Sequence, residues 1–355
     1  LFSCVSPAYA GNIAYGASQI PAYAQQKILQ LRKISFYLFL FHSVFSKICY
    51  SNGMNAETRP GTITFYHLNE FERKTIEDFL LFYRQSSSNR HRLIQSRSIE
   101  INHKPVKDSH VLLQKGDTIT IHIPFMEVDH VPAETPCPIV YEDDYLYVAH
   151  KEPGIIIHGD PDDTKCLAAE AAAYQLEHSI QAPVRYIHRL DRETTGLVLF
   201  VKNPFFQPWY DAMLEEKKIS RHYLAITRGS AMPGQKFTFR GKIGRDRHVN
   251  GKYRLSETGK EAETIVRCLQ KKKGYLLMAC TLKTGRTHQI RVHLSSAHFP
   301  IVNDPLYGTP SVHFHHMGLW AEEMILTDPV TGEQIMVHDL PDEDYQFFTP
   351  EAKSH

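Results

Sequence analysis

Apolar and polar positions change rhythm several times along this chain. The run Ile34-Ser-Phe-Tyr-Leu-Phe-Leu-Phe-His-Ser-Val-Phe45 is almost wholly apolar, but it is shorter than the ~20 residues a helix needs to span a bilayer. Further on, Leu68, Phe71, Ile76, Phe79 and Leu80 fall near helical spacing, and a second helix is expected within Arg84–Arg97. The rhythm then alternates. Ser98–Val106 reads as strand broken by a turn at Asn102-His103-Lys104, and Lys115–Ile123 as a second strand after a Gly-Asp turn. From Pro138 onward, Ile139–Lys151 predicts a strand, an acidic turn and another strand ending at Pro153-Gly154. Thr164–Glu177 predicts an Ala-rich helix with Thr164 as N-cap. Leu197–Val201 and Tyr275–Cys280 are apolar runs of the buried-strand kind.

Composition narrows the class. With 355 residues, 42% hydrophobic and 22% charged, the chain can build two or three globular domains and is neither a disordered nor a collagen-like protein. Its six cysteines lack paired short spacings, which argues against a zinc ribbon or disulfide scaffold and for a reducing compartment. The net charge of +1 conceals a segregation. Lys217–Arg291 holds 19 Lys/Arg against 4 Asp/Glu, leaving 21 basic and 35 acidic residues elsewhere. A polyanion-binding surface needs that imbalance. Leu1–Ala56 contains no acidic residue. It can be read as a signal peptide with an overlong basic region, as a mitochondrial presequence, or as translated upstream sequence ahead of an initiator at Met54. Residues 1–53 are therefore treated as an extension outside the domains. A cytoplasmic location is expected, or an organellar one if the extension is a presequence.

Candidate chemistry concentrates in Arg185-Tyr-Ile-His-Arg-Leu-Asp-Arg-Glu-Thr-Thr-Gly196, a loop crowded with His188, Arg189, Asp191 and Arg192 ahead of an apolar strand. Neighbouring cations favour the ionised carboxylate, so Asp191 suits a nucleophile or base. A kinase catalytic loop is excluded, because the downstream Asn, the Gly-rich loop and Asp-Phe-Gly are missing. An isolated Asp/Arg pair would be a structural salt bridge. Two further motifs change that reading: Thr281-Leu-Lys-Thr-Gly-Arg-Thr-His-Gln-Ile-Arg-Val-His-Leu294, and Pro300-Ile-Val-Asn-Asp-Pro-Leu-Tyr-Gly308. His313, His315 and His316 read as surface-loop histidines, having no carboxylate or cysteine at ligand spacing.

Together, "HRLDRETTGL", "GRTHQIRVHL" and "PIVNDPLYG" resemble the RluA family of RNA pseudouridine synthases. "INHKPV…LLQKGDTI" resembles an S-four-like RNA-binding domain, with His103 where glycine is usual. The resemblance implies an α+β protein with an RNA-binding domain at 69–124 and a catalytic domain at 136–345. The latter is expected to be a mixed, mainly antiparallel sheet flanked by helices. It further implies that Asp191 is the catalytic carboxylate, that Tyr223 packs on the flipped base and that Arg291 pairs with Asp191. Arg189, Arg286, His288, Arg84, Arg90 and Arg97 are expected to contact RNA. The family's usual Lys-x-Tyr stands here as Arg221-His222-Tyr223, and a common Leu-His-Ala as Leu319-Trp320-Ala321. No cofactor or metal is implied. The expected partner is ribosomal RNA of the large subunit, or else transfer RNA, bound by a monomer away from any membrane. A non-catalytic RNA-binding protein is the alternative, though binding alone needs no aspartate amid cations. A hydrolase built on Asp191 and His188 lacks a nucleophile elbow.

Overall fold

The computed structural model describes residues 54–340 and 342–348. The extension expected at 1–53 lies outside the described residues. In the first module, strands β1 (Asn55–Arg59), β2 (Thr62–Tyr66), β3 (Ile99–Ile101), β4 (Lys104–Pro105) and β5 (Ile119–His122) form an antiparallel sheet ordered β1-β2-β5-β3-β4. Its helices are α1 (Ile76–Phe82) and α2 (Ser87–Gln95). A capping box between Thr75 and Asp78 starts α1, and the Ser86 hydroxyl accepts the Asn89 N–H to start α2. Asn102 and His103 both take left-handed backbone, φ 51° and 64°. The turn that usually holds glycine therefore keeps its shape with histidine.

The β1–β2 hairpin extends the first sheet ahead of residue 69. Ile63 and Phe65 of β2 are fully buried, and β2 pairs directly with β5. The small sheet therefore needs residues from 55 onward for its core. The alternation Thr62-Ile-Thr-Phe-Tyr66 was the signal for it.

The larger part contains β6 (Ile139–Glu142), β7 (Leu146–Lys151), α3 (Leu167–Glu177), β8 (Thr195–Val201), α4 (Gln207–Glu215), β9 (Ser220–Arg228) and β10 (Lys236–Arg245). It continues with β11 (Tyr253–Leu255), β12 (Lys260–Lys272), β13 (Tyr275–Leu282), α5 (Gln289–Ser296), β14 (Leu319–Thr327), β15 (Gln334–His338) and α6 (Glu343–Gln346). The strands form one ten-stranded sheet, ordered β11-β10-β12-β13-β9-β14-β8-β7-β6, with β15 beside β14. Among the described strands only β8 and β14 pair in parallel, so the sheet is mixed and mainly antiparallel. Helix α3 starts later than expected and is not capped by Thr164. Its Leu167 and Ala168 N–H groups donate to the carbonyls of Ile156 and Ile157, which satisfies first-turn donors without a side-chain cap. Gly196 sits at φ 113°, where a Cβ would collide with the Ala321 carbonyl and the Trp320 indole. That close approach of β8 to β14 explains the glycine of Thr-Thr-Gly-Leu.

The two parts share one hydrophobic core. Tyr83, fully buried at the end of α1, packs against Phe205 and Phe206 at ring distances of 5.1 and 5.4 Å, and its hydroxyl donates to the Pro329 carbonyl at 3.1 Å. Gln85 Nε2 donates to the Phe205 carbonyl at 2.7 Å, and Arg84 pairs with Glu216 at 2.6 Å. Tyr83→Ala is therefore expected to cost about 3–5 kcal/mol of stability, read as a lowered denaturant midpoint. A loss below about 1 kcal/mol would show that this contact does not secure the module. Among the described residues no helix is long and apolar enough to cross a membrane.

Candidate active site

The loop after Tyr186 is delivered by β8, whose seven residues are all buried. His188 anchors it from inside: its Nε2 accepts the Leu199 N–H at 3.3 Å. Burial, aided by the charge of Arg221, pushes its imidazole down to about 3. His188 is thus a neutral brace rather than a proton carrier. Lys151, at the end of β7, is fully buried. Its ammonium donates to the carbonyls of Glu152, Arg192 and Thr194, each at 2.8 Å. Two of those carbonyls, of Arg192 and Thr194, lie just after Asp191 in the chain, so Lys151 holds the loop by its backbone.

Burial, partly offset by Glu193 and Asp191, pushes the Lys151 ammonium down to about 8. Below that pH three N–H donors meet three carbonyls. Above it a neutral amine has two donors and turns a lone pair toward an acceptor, which loosens the loop. The turnover rate is accordingly expected to fall as pH rises through about 8. In Lys151→Met it should be lower throughout and lack that alkaline step. A wild-type profile flat across this range would contradict the assignment.

Asp191 meets its partner from α5. Arg291 is 4% exposed and uses Nε and Nη2 on Asp304, at 2.8 and 2.9 Å, while Nη1 donates to Asp191 Oδ2 at 2.9 Å. Asp304 is completely buried as a side chain, and its Oδ1 also accepts the N–H groups of Leu306 and Tyr307. Burial alone would lower the Arg291 guanidinium, but the hydrogen bonds and charge of Asp304, together with Asp191, hold it above its ordinary value. The guanidinium is thus a permanently charged bracket, fixed on one side and presented to Asp191 on the other. Among the described residues Asp191 Oδ1 has no hydrogen-bond partner, and His288 Nε2 lies 3.9 Å from Oδ2.

These groups line an open cleft of about 760 Å³. Asp191, Tyr223, Arg291, Arg189, Arg286 and His288 all contribute to its wall. Tyr223 enters from β9, buried and next to the aliphatic surfaces of Leu282, Ile290 and Leu319. Lys217, Arg221 and Lys283 add positive charge to the same wall. The other three arginines singled out in the sequence lie elsewhere. Arg84 is taken by Glu216, and Arg90 by Glu77 and the Gln85 carbonyl, while Arg97 is exposed after α2. Sequence reasoning missed Asp304 and Tyr307, although both stand in the third motif, and Lys151, a lone lysine ending an apolar strand. Among the described residues no group of three or more His, Cys, Asp or Glu could hold a metal ion.

Comparison with known proteins places the chain in a family. The family model for RNA pseudouridylate synthase matches residues 145–296. YhcT, an RNA pseudouridine synthase of Bacillus subtilis, is 33% identical over 244 residues, covering 68% of this chain and 80% of that protein. Ribosomal large subunit pseudouridine synthase D of Xanthomonas campestris is 31% identical over 254 residues, covering 66% of this chain and 75% of the relative. The solved structure of human RNA pseudouridylate synthase domain containing 1 shares 24% identity and a TM-score of 0.49, over 58% of this chain and 83% of its own.

Proposed function

Because the chain belongs to the RNA pseudouridine synthases, isomerases that act on RNA, we propose that Asp191 is the carboxylate that drives its reaction and that its target lies in large-subunit ribosomal RNA. The observation that carries the catalytic assignment is the buried bracket Asp304–Arg291–Asp191, which ends in one carboxylate oxygen left free at the cleft wall. Pseudouridine formation breaks the bond from base N1 to sugar C1′ and joins C5 to C1′; C5 loses its proton and N1 gains one, so the atoms balance. No electrons are gained or lost. The carboxylate can serve by attacking the sugar or by taking a sugar proton, and both uses require an ionised, oriented oxygen. Arg291 supplies that orientation through a charge-assisted hydrogen bond.

The target uridine must leave its stack, which costs about a few kcal/mol. Stacking on the Tyr223 ring and phosphate contacts by Arg189, Arg286, Lys217 and Lys283 around the same cleft offset that cost. The first module, read as S-four-like from its sequence, carries two helices and the Asn102–His103 turn, and its exposed Arg92 and Arg97 serve as a further RNA contact. The docked module and the relative named for the ribosomal large subunit together favour a large structured target over transfer RNA. We place the enzyme in the cytoplasm, where the buried free thiols Cys137, Cys166, Cys268 and Cys280 stay reduced. We take it to act as a monomer. Pseudouridine maps of ribosomal and transfer RNA from cells with and without the protein test the target. Loss of large-subunit positions supports it, and loss confined to transfer RNA overturns it.

A further inference from the structure

The third motif carries Tyr307 next to its last residue, a side chain for which the reaction above has no use, yet three elements converge on it. Its hydroxyl accepts the backbone N–H of Tyr253 at 2.7 Å and lies 2.9 Å from His288 Nδ1. Its ring carries the Arg291 guanidinium, 5.0 Å from the centroid, and on the same ring sits Lys252 Nζ at 5.3 Å. Tyr253 and Lys252 belong to the basic arm that runs from β10 through the turn at 246–252 into β11. This arm exposes Arg245, Arg247 and Arg254. Tyr253 also sets its ring edge against His288, with centroids 5.4 Å apart. Ile243, Tyr253, Tyr307, Ala262 and Val292 close the contact as one small apolar cluster.

One proton arrangement fits both contacts: the Tyr307 oxygen accepts from Tyr253, and its hydroxyl hydrogen is donated to the Nδ1 of a His288 protonated on Nε2. The imidazole proton is then left on Nε2, which faces Asp191 Oδ2 at 3.9 Å. His288 is held for this task in a left-handed backbone conformation, φ 56°, at the residue before α5. A non-glycine residue keeps that conformation only where its surroundings over-determine it. Among the described residues, the two side chains that approach Asp191, Arg291 and His288, therefore both contact one phenol, which also touches the basic arm through Tyr253 and Lys252.

We propose that Tyr307 is a positioning residue that couples RNA seated on the β10–β11 arm to the orientation of Asp191. The inference rests on the assignment of Asp191 above and adds to it a reason for the enzyme to react only with RNA that engages the arm. An RNA phosphate drawn to Arg247 and Arg254 fixes the arm. The arm fixes Tyr253 and Lys252 against Tyr307, and Tyr307 fixes the tautomer of His288 and the seat of Arg291.

The test is a double-mutant cycle between Tyr307→Phe and the paired arm change Arg247→Ala with Arg254→Ala. The substrate is total RNA from cells lacking the protein, labelled with tritium at uridine carbon 5. Tritium release is followed under single turnover at saturating protein, and affinity is measured separately by filter binding. Tyr307→Phe keeps the ring under Arg291 and removes only the hydroxyl, so the rate constant is expected to fall roughly tenfold while affinity is unchanged. The arm change is expected to weaken binding in both backgrounds but to slow the saturated rate only where Tyr307 is present. Equal slowing in both backgrounds, or a wild-type rate for Tyr307→Phe, would overturn the coupling. Asp191→Asn run alongside keeps the two claims apart: wild-type turnover by that variant would defeat the assignment of Asp191 itself, whatever the cycle shows.

Discussion

Asp191→Asn is expected to bind RNA as wild type does and to lose pseudouridine formation by about 10²–10⁴-fold or more, measured as tritium release under single turnover. The substitution preserves shape. An amide oxygen can still accept from Arg291 Nη1, which lies 2.9 Å from Asp191 Oδ2, so the loop held by Lys151 has no reason to move. What disappears is the negative charge, and with it both the nucleophile and the base. Affinity should survive because it comes from the cations of the cleft and arm and from the Tyr223 face. A variant that keeps more than about one tenth of the wild-type rate constant would not fit general-base or nucleophilic use of this side chain.

Arg291→Met should have the second-largest effect, on stability and activity together. Asp304 is completely enclosed, and Arg291 supplies its only ion pair among the described residues. Two backbone N–H groups on Oδ1 do not replace a bidentate guanidinium. Removing one member of a buried pair leaves an uncompensated charge and costs about 3–5 kcal/mol. Replacing both members by apolar residues is far cheaper. Arg291→Met with Asp304→Leu should thus regain much of the lost stability in a denaturant titration while remaining inactive. If the single change costs less than about 1 kcal/mol, or if the double change restores turnover, then the bracket is not what organises Asp191.

Local patterns carried much of this account. Asp191, Arg291, His288 and Arg286 come from two sequence motifs some hundred positions apart and meet in one cleft, because each motif adjoins an element with an unmistakable apolar signature, β8 and β13. The pairing of Asp304 with Arg291 was not legible. A carboxylate in a Pro/Gly-rich turn looks like a turn residue until the fold carries it beneath α5. Lys151 escaped notice for a related reason, since its role depends on carbonyls contributed by Arg192 and Thr194 from a distant loop. Thr164 is a reasonable cap by composition, but the loop carbonyls of Ile156 and Ile157 supply the acceptors instead. The β1–β2 hairpin is the opposite case: the alternation of Thr62–Tyr66 is local and legible in the sequence, and it lies ahead of the helical stretch that marks the module.

The most direct measurement is a pseudouridine map of total RNA from cells lacking the native protein, restored with either the wild-type chain or Asp191→Asn at equal abundance. The account predicts that particular positions return with the wild-type chain and remain unmodified uridine with the variant, although both proteins bind RNA equally well. Return of those positions with Asp191→Asn would contradict it.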